Sequence, residues 1–204
     1  MLPAVFLATN NQGKIERFVK LLKDAAPEVK VKTAADLGIK PLEVAETGQS
    51  LTANALLKAR AYLGKVELPI LANDTGFYVE GEGLVEAPKR AALAGADEAK
   101  LTEAQLAQKL LDFWKNIAQK HGGRVNAAWV EAFVLVMPDG AVREAGSRRE
   151  VILTDQEFGT PHVQFPMRAL YISKATNQPA VTHTSAEETL EMAPVIQALK
   201  EVLA

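Results

Sequence analysis

The sequence contains no cysteine, so disulfides, thiolate metal sites and a catalytic thiol are excluded together. That composition fits a reducing compartment. Histidine is scarce as well: His121, His162 and His183 lie too far apart in the chain to suggest a zinc site. Neither sign of charge dominates. With 23 basic and 25 acidic residues the net charge is -2, which gives no electrostatic reason to expect nucleic acid as a partner. Long hydrophobic runs are missing too. The opening MLPAVFLATNNQGK has no basic leader, and its apolar stretch reaches Thr9 and Asn10 too soon for a signal sequence or a membrane span. A cytoplasmic protein without a membrane partner is therefore expected. No repeat, low-complexity tract or Gly/Ser/Pro-rich linker interrupts the chain, so one continuous unit over residues 1–204 is the simplest organisation. At 204 residues and 48% hydrophobic composition, such a unit can bury a core without staples.

What is present reads as an α/β chain. Ala4 to Ala8 is a short apolar run that ends in polar and glycine residues, and Ile15, Phe18, Val19, Leu21 and Leu22 follow at helical spacing. Val29 to Thr33 alternates like a strand, and Leu51 to Leu63 carries Leu51, Ala55, Leu56, Ala59 and Leu63 on one helical face. Pro69 to Ala72 predicts a short buried strand that stops at a polar turn, Asn73-Asp74-Thr75-Gly76, before Phe77 to Val79 resumes. A capping-box pattern at Thr102 to Gln105 opens a helix to about Lys120, with Phe113 and Trp114 on its apolar stripe. These two aromatics are expected in the core or on a dimer face. Trp129 to Met137 and Val142 to Leu153 flank Pro138-Asp139-Gly140 as a hairpin, and Arg148 and Arg149 read as a charge pair guarding a strand edge. Met167 to Ile172 predicts a last strand. A second capping-box pattern at Ser185 to Glu188 opens a helix through Val202, with Pro194 inside it.

Three polar segments stand where chemistry is done. Thr9-Asn10-Asn11-Gln12-Gly13-Lys14 lies between a strand and a helix start, where backbone amides and the positive end of the helix dipole face an anion and Lys14 adds a full charge. Alone it is weaker than a Walker motif and reads first as a turn with a solvated lysine. Glu46-Thr47-Gly48 precedes a helix on which Asn54 and Lys58, four positions apart, share a face. Asn73-Asp74-Thr75-Gly76 ends an apolar strand, a place where open α/β sheets put ligand-binding groups. Together they suit phosphoryl chemistry: carboxylates hold a hard divalent ion, lysines neutralise phosphate oxygens, and one carboxylate orients a water.

In order, Thr9 to Lys14, Glu46-Thr47-Gly48, Asn54 to Lys58 with Ala59, and Ala72 to Gly76 resemble the inosine triphosphate pyrophosphatase family, enzymes that remove non-standard purine nucleotides. The resemblance covers roughly the first two fifths of the chain. Its pattern joins a T-x-N-x-G-K-like loop, an E-T-G turn, an E-N-A-x-x-K-A helix and an A-[DE]-D-S-G turn, which are specific only as a set. It implies a long mixed β-sheet flanked by helices, two lobes with a nucleotide cleft between them, and a homodimer. It also implies hydrolysis of a nucleoside triphosphate between its α and β phosphates. Carried over position by position, Lys14 and Lys58 bind the triphosphate, Asp74 is the metal-linked base that activates water, and Glu46 joins Asp74 in holding Mg²⁺ or Mn²⁺. Thr9, Asn10, Asn11, Gly13, Asn54, Thr75 and Gly76 line the phosphate half.

The chain departs from that pattern in places. Asn73 replaces an acidic residue, so its oxygen can still assist at the metal but brings no charge. The F-G-[YW]-D-P-x-F segment of the family is set against Phe165 to Tyr171, where Phe165 remains to stack on a base and Arg168 replaces the acid. The closing S-H-R that reads a purine carbonyl has no counterpart in Glu188 to Pro194, His183 does not restore it, and an S-A-R-Y segment is reduced to Arg90 to Gly95. The expectation is a pyrophosphatase with altered base specificity; the alternative is a catalytically weak or inactive nucleotide binder of the same fold.

Overall fold

A computed structural model describes residues 2–97, 100–162 and 165–204. Its strands and helices run β1 (Ala4–Leu7), α1 (Gln12–Ala25), β2 (Lys30–Lys32), α2 (Leu51–Arg60), β3 (Ile70–Val79), β4 (Gly83–Glu86), α3 (Pro88–Leu93), α4 (Glu103–Lys120), β5 (Arg124–Val136), β6 (Val142–Thr154), β7 (Tyr171–Ser173), β8 (Gln178–Pro179) and α5 (Ser185–Leu203). The strands form one eight-stranded sheet in the order β2-β1-β3-β5-β6-β7-β8, with β4 also paired to β3. β1 runs parallel to both β2 and β3, whereas β3–β4, β6–β7 and β7–β8 are antiparallel. The expected mixed sheet flanked by helices is thus present. Among the described residues no helix is long and apolar enough to cross a membrane.

The chain separates into two compact units. The first comprises Met1–Thr75, Glu131–Ser147 and Pro194–Ala204; the second comprises Gly76–Val130 and Arg148–Ala193. In the first, Phe6, Ala55, Ala59, Ile70, Ala72 and Val134 form a buried cluster. In the second, Phe77 sits edge-on between Trp114 and Trp129, with ring centroids 4.9 and 4.7 Å away. Trp114 is fully buried there, so of its two expected locations it takes the core.

Two expectations about elements are corrected. Asn73-Asp74-Thr75-Gly76 is not a turn, because β3 runs unbroken from Ile70 through Val79. The polar side chains are held in the ladder: the Asn73 amide donates to the carbonyl oxygens of Asp74 and Ala132 at 3.2 and 3.1 Å, so turn chemistry is not needed to satisfy them. Met167 to Leu170 is likewise not a strand but part of a 3-10 turn, Pro166–Leu170, which puts Met167, Ala169 and Leu170 inside. Pro166 has no N–H to give a ladder and suits the first position of a helical turn. β7 begins only at Tyr171.

Smaller differences follow the same logic. α2 ends at Arg60 rather than Leu63. The cap of α5 is Thr184, one residue earlier than expected: its amide and hydroxyl donate to Glu187 Oε2, and the Glu187 amide returns to Thr184 Oγ1. Arg149 is not at an edge, since β6 lies between β5 and β7 and its side chain is buried.

Candidate active site

The sequence of the first compact unit brings four charged groups together. Asn11 caps α1, its side chain accepting from the Lys14 amide at 2.9 Å, which fixes the first turn and projects Lys14 from it. Lys58 lies in the last turn of α2. Alternation along β3 then divides the work: Asn73 and Thr75 share one face and Asp74 the other. Lys14 Nζ donates to Asn73 Oδ1 at 3.3 Å, and the Thr75 hydroxyl donates to the same oxygen at 3.0 Å. On the other side, Lys58 Nζ lies 2.6 Å from Asp74 Oδ1, 2.7 Å from Glu46 Oε1 and 3.4 Å from the Asn73 carbonyl oxygen. Asn73 and Asp74 are 6% and 7% exposed, so these contacts are made largely out of water.

Burial is the main force on Lys14, and the Lys58 ammonium is the second; together they hold its pKa below the usual lysine range. Asp74 and Glu131 pull the other way. A partly desolvated, crowded ammonium of this kind gains from a polyanion that brings its own charge.

The remaining residues of the phosphate half are placed as supports. Asn54 is buried, and its oxygen accepts from the Gly48 amide at 2.8 Å, so it secures the Glu46-Thr47-Gly48 turn to α2. A Cβ on Gly48 would stand 2.8 Å from both Ala53 Cβ and Asn54 Oδ1, which explains glycine there. Thr9 Oγ1 accepts from the Asn11 amide, and Asn10 donates to the Leu42 carbonyl at 2.8 Å. Gly13 sits in the first turn of α1, where amides have no intrahelical partner. Gly76 continues β3 opposite Glu86 in the second unit, where a Cβ would meet Leu84 at 2.9 Å.

Phe165 and Arg168 belong to the second unit. The Phe165 ring is half exposed, while Arg168 donates to the Ala180 carbonyl at 2.6 Å and lies 3.5 Å from Glu188. Residues 163 and 164, next to Phe165, lie outside the described residues.

Two buried ion pairs escaped the sequence reading. Arg17 grips Glu131 with two bonds of 2.9 and 2.7 Å in the first unit, and Glu131 is 1% exposed. In the second unit Arg149 bonds Glu191 at 2.7 Å, with Tyr171 donating to the same carboxylate and His183 Nδ1 3.1 Å from it. Burial, then the Glu191 charge, pushes the Tyr171 hydroxyl up to about 12. The one available signal was an arginine and a glutamate at positions where strand or helix periodicity demands an apolar residue.

As to a metal, no group of three or more His, Cys, Asp or Glu side chains suited to hold an ion occurs among the described residues. Glu46 and Asp74, both bonded to Lys58, are the two carboxylates that with substrate phosphates would suit Mg²⁺, whereas the Asn73 side-chain oxygen, expected to assist them, lies on the other face of β3 and is taken by Lys14 and Thr75.

A family model described as the Ham1 family matches residues 5–165. A dITP/XTP pyrophosphatase of Mannheimia succiniciproducens is 33% identical over 157 residues, covering 74% of this chain and 74% of the relative. One from Symbiobacterium thermophilum is 35% identical over 139 residues, covering 66% of this chain but only 61% of the relative. The chain thus spans about three fifths of that relative's length. A solved HAM1 protein from Coxiella burnetii superposes with a TM-score of 0.72 at 23% identity, covering all of this chain and 98% of the other, which establishes the shared fold. With four ordered motifs converging in the first unit and a family match over most of its length, this chain belongs to the Ham1 family, as its resemblance to the inosine triphosphate pyrophosphatases implied.

Proposed function

We propose that the protein is a divalent-metal-dependent nucleoside triphosphate pyrophosphatase that cleaves between the α and β phosphates, with base specificity altered from that of its relatives. The observation that carries this reading is the ion-paired cluster of Lys58, Glu46 and Asp74 in one unit, with Lys14 bonded to the adjacent Asn73. The relatives being dITP/XTP pyrophosphatases supports the reaction class.

Lys14 and Lys58 bind the triphosphate and neutralise its oxygens, from two faces of β3. Asp74, oriented by Lys58, accepts the proton of the attacking water as its oxygen bonds to the α phosphorus; the bond to the bridging oxygen breaks and pyrophosphate leaves. Glu46 and Asp74 would hold Mg²⁺ or Mn²⁺, which would supply positive charge against the phosphates. Asn54 positions the Glu46 turn through Gly48. Arg168 and Phe165, replacing the base-reading pattern, support a changed base preference, and house-cleaning of the nucleotide pool in a cytoplasmic homodimer is the setting the resemblance implies.

Hydrolysis in ¹⁸O-labelled water tests the reaction class. The label is expected in the nucleoside monophosphate; label in pyrophosphate, or release of orthophosphate with nucleoside diphosphate, would contradict it. Tight nucleotide binding with no turnover favours the second reading, a non-catalytic nucleotide binder, for which the loss of charge at Asn73 is the supporting observation.

A further inference from the structure

The two carboxylates available to a divalent ion are already bonded to an ammonium. Lys58 Nζ bridges Glu46 Oε1 and Asp74 Oδ1 at 2.7 and 2.6 Å, while on the other face of β3 Asn73 Oδ1 receives Lys14 Nζ at 3.3 Å and the Thr75 hydroxyl at 3.0 Å. Lys58 sets its positive charge directly against both carboxylates. Glu131, the further carboxylate acting on Lys14, is itself held by Arg17 in a bidentate pair. A bare divalent ion must therefore displace the Lys58 ammonium from both carboxylates. A polyphosphate changes this, because Lys58 then has anionic oxygens to turn to and its hold on the two carboxylates is relieved.

We propose that Lys58 acts as an internal counter-ion that keeps the divalent metal out until a polyphosphate arrives, so that metal and nucleotide load together rather than metal first. The proposal rests on the pyrophosphatase reading above, and assigns Lys58 a role in the order of binding in addition to phosphate contact. By linkage, the factor by which the polyphosphate raises metal affinity is the factor by which metal raises polyphosphate affinity.

Mn²⁺ uptake by equilibrium dialysis, with bound ion read by electron paramagnetic resonance, tests this without any turnover. The polyphosphate is an α,β-imido nucleoside triphosphate, which is not cleaved at the relevant bond, with protein-free analogue as control. The wild type is expected to take up Mn²⁺ poorly alone and at least about tenfold more tightly with the analogue, within the roughly 5–150-fold range of linked sites. Lys58→Met should raise affinity for Mn²⁺ alone by about tenfold, and Lys14→Met, whose side chain bonds Asn73 rather than a carboxylate, by less than about threefold. Lys58→Gln replaces Lys58→Met if the latter does not fold, and the wild-type comparison with and without analogue decides the matter with neither. Equal Mn²⁺ uptake in both wild-type conditions, with the analogue bound, overturns the loading order alone. A wild type that does not bind the analogue at all overturns the pyrophosphatase reading beneath it.

Discussion

Asn73→Asp restores the acidic residue of the family pattern, and the structure predicts that it weakens the fold. The four neighbours of the Asn73 amide settle its orientation. Lys14 Nζ and the Thr75 hydroxyl, both donors, face its oxygen at 3.3 and 3.0 Å, while the carbonyl oxygens of Asp74 and Ala132 accept from its nitrogen at 3.2 and 3.1 Å. An aspartate presents an acceptor to those two carbonyls at a position 6% exposed. Two hydrogen bonds are lost and their acceptors left facing a negative charge, a cost of about 2–4 kcal/mol at typical values, reduced but not cancelled by Lys14. For a chain of this length that corresponds to a fall of roughly 4–16 °C in Tm. Differential scanning calorimetry and urea unfolding measure it. A Tm for Asn73→Asp equal to or above that of the wild type would refute the argument that Asn73 is built into the ladder as an amide, and would make it a simple loss of charge.

Lys14→Met is expected to raise stability while abolishing polyphosphate binding. Because burial and Lys58 depress the Lys14 pKa below its ordinary 10.5, the native state binds fewer protons than the unfolded state between the two values, so wild-type stability rises with pH through that window. The variant should lose that rise and gain Tm at neutral pH, and a lower Tm at pH 7 would show that Lys14 is held favourably instead. Glu191→Gln leaves Arg149 buried without its carboxylate, which should cost about 3–5 kcal/mol, whereas Arg149→Met with Glu191→Leu should cost much less. Chemical denaturation of the two variants checks this, equal losses contradicting it.

Much of this architecture was legible because local signals and packing agreed. The Thr102–Gln105 capping box forms as written, and the hairpin turns between Met137 and Ala141 where Pro138-Asp139-Gly140 predicted. The phosphate half was legible as ordered short motifs, and Lys14, Glu46, Lys58 and Asp74 converge although they are spread over 61 positions of the sequence. What misled was polarity taken as local. Asn73 to Gly76 has turn composition, but its side-chain bonds to β5 and α1 are long-range and no window of sequence contains them. Arg149 read as an edge guard for the same reason: its partner Glu191 lies 42 residues on, in a helix that only tertiary packing brings to β6. Phe158-Gly159, which keeps a Phe–Gly pair and places Gly159 at φ +58, lies seven residues before Phe165 and is a competing register for the base-stacking segment.

The most direct measurement is pyrophosphate release from a panel of standard, deaminated and modified nucleoside triphosphates with Mg²⁺ or Mn²⁺, comparing the wild type with Asp74→Asn at saturating metal. Selective release by the wild type, lost by at least about a hundredfold in Asp74→Asn, is predicted for a positioned general base. Turnover that survives the substitution would contradict the assignment of Asp74, and no release from any member of the panel would contradict the pyrophosphatase itself.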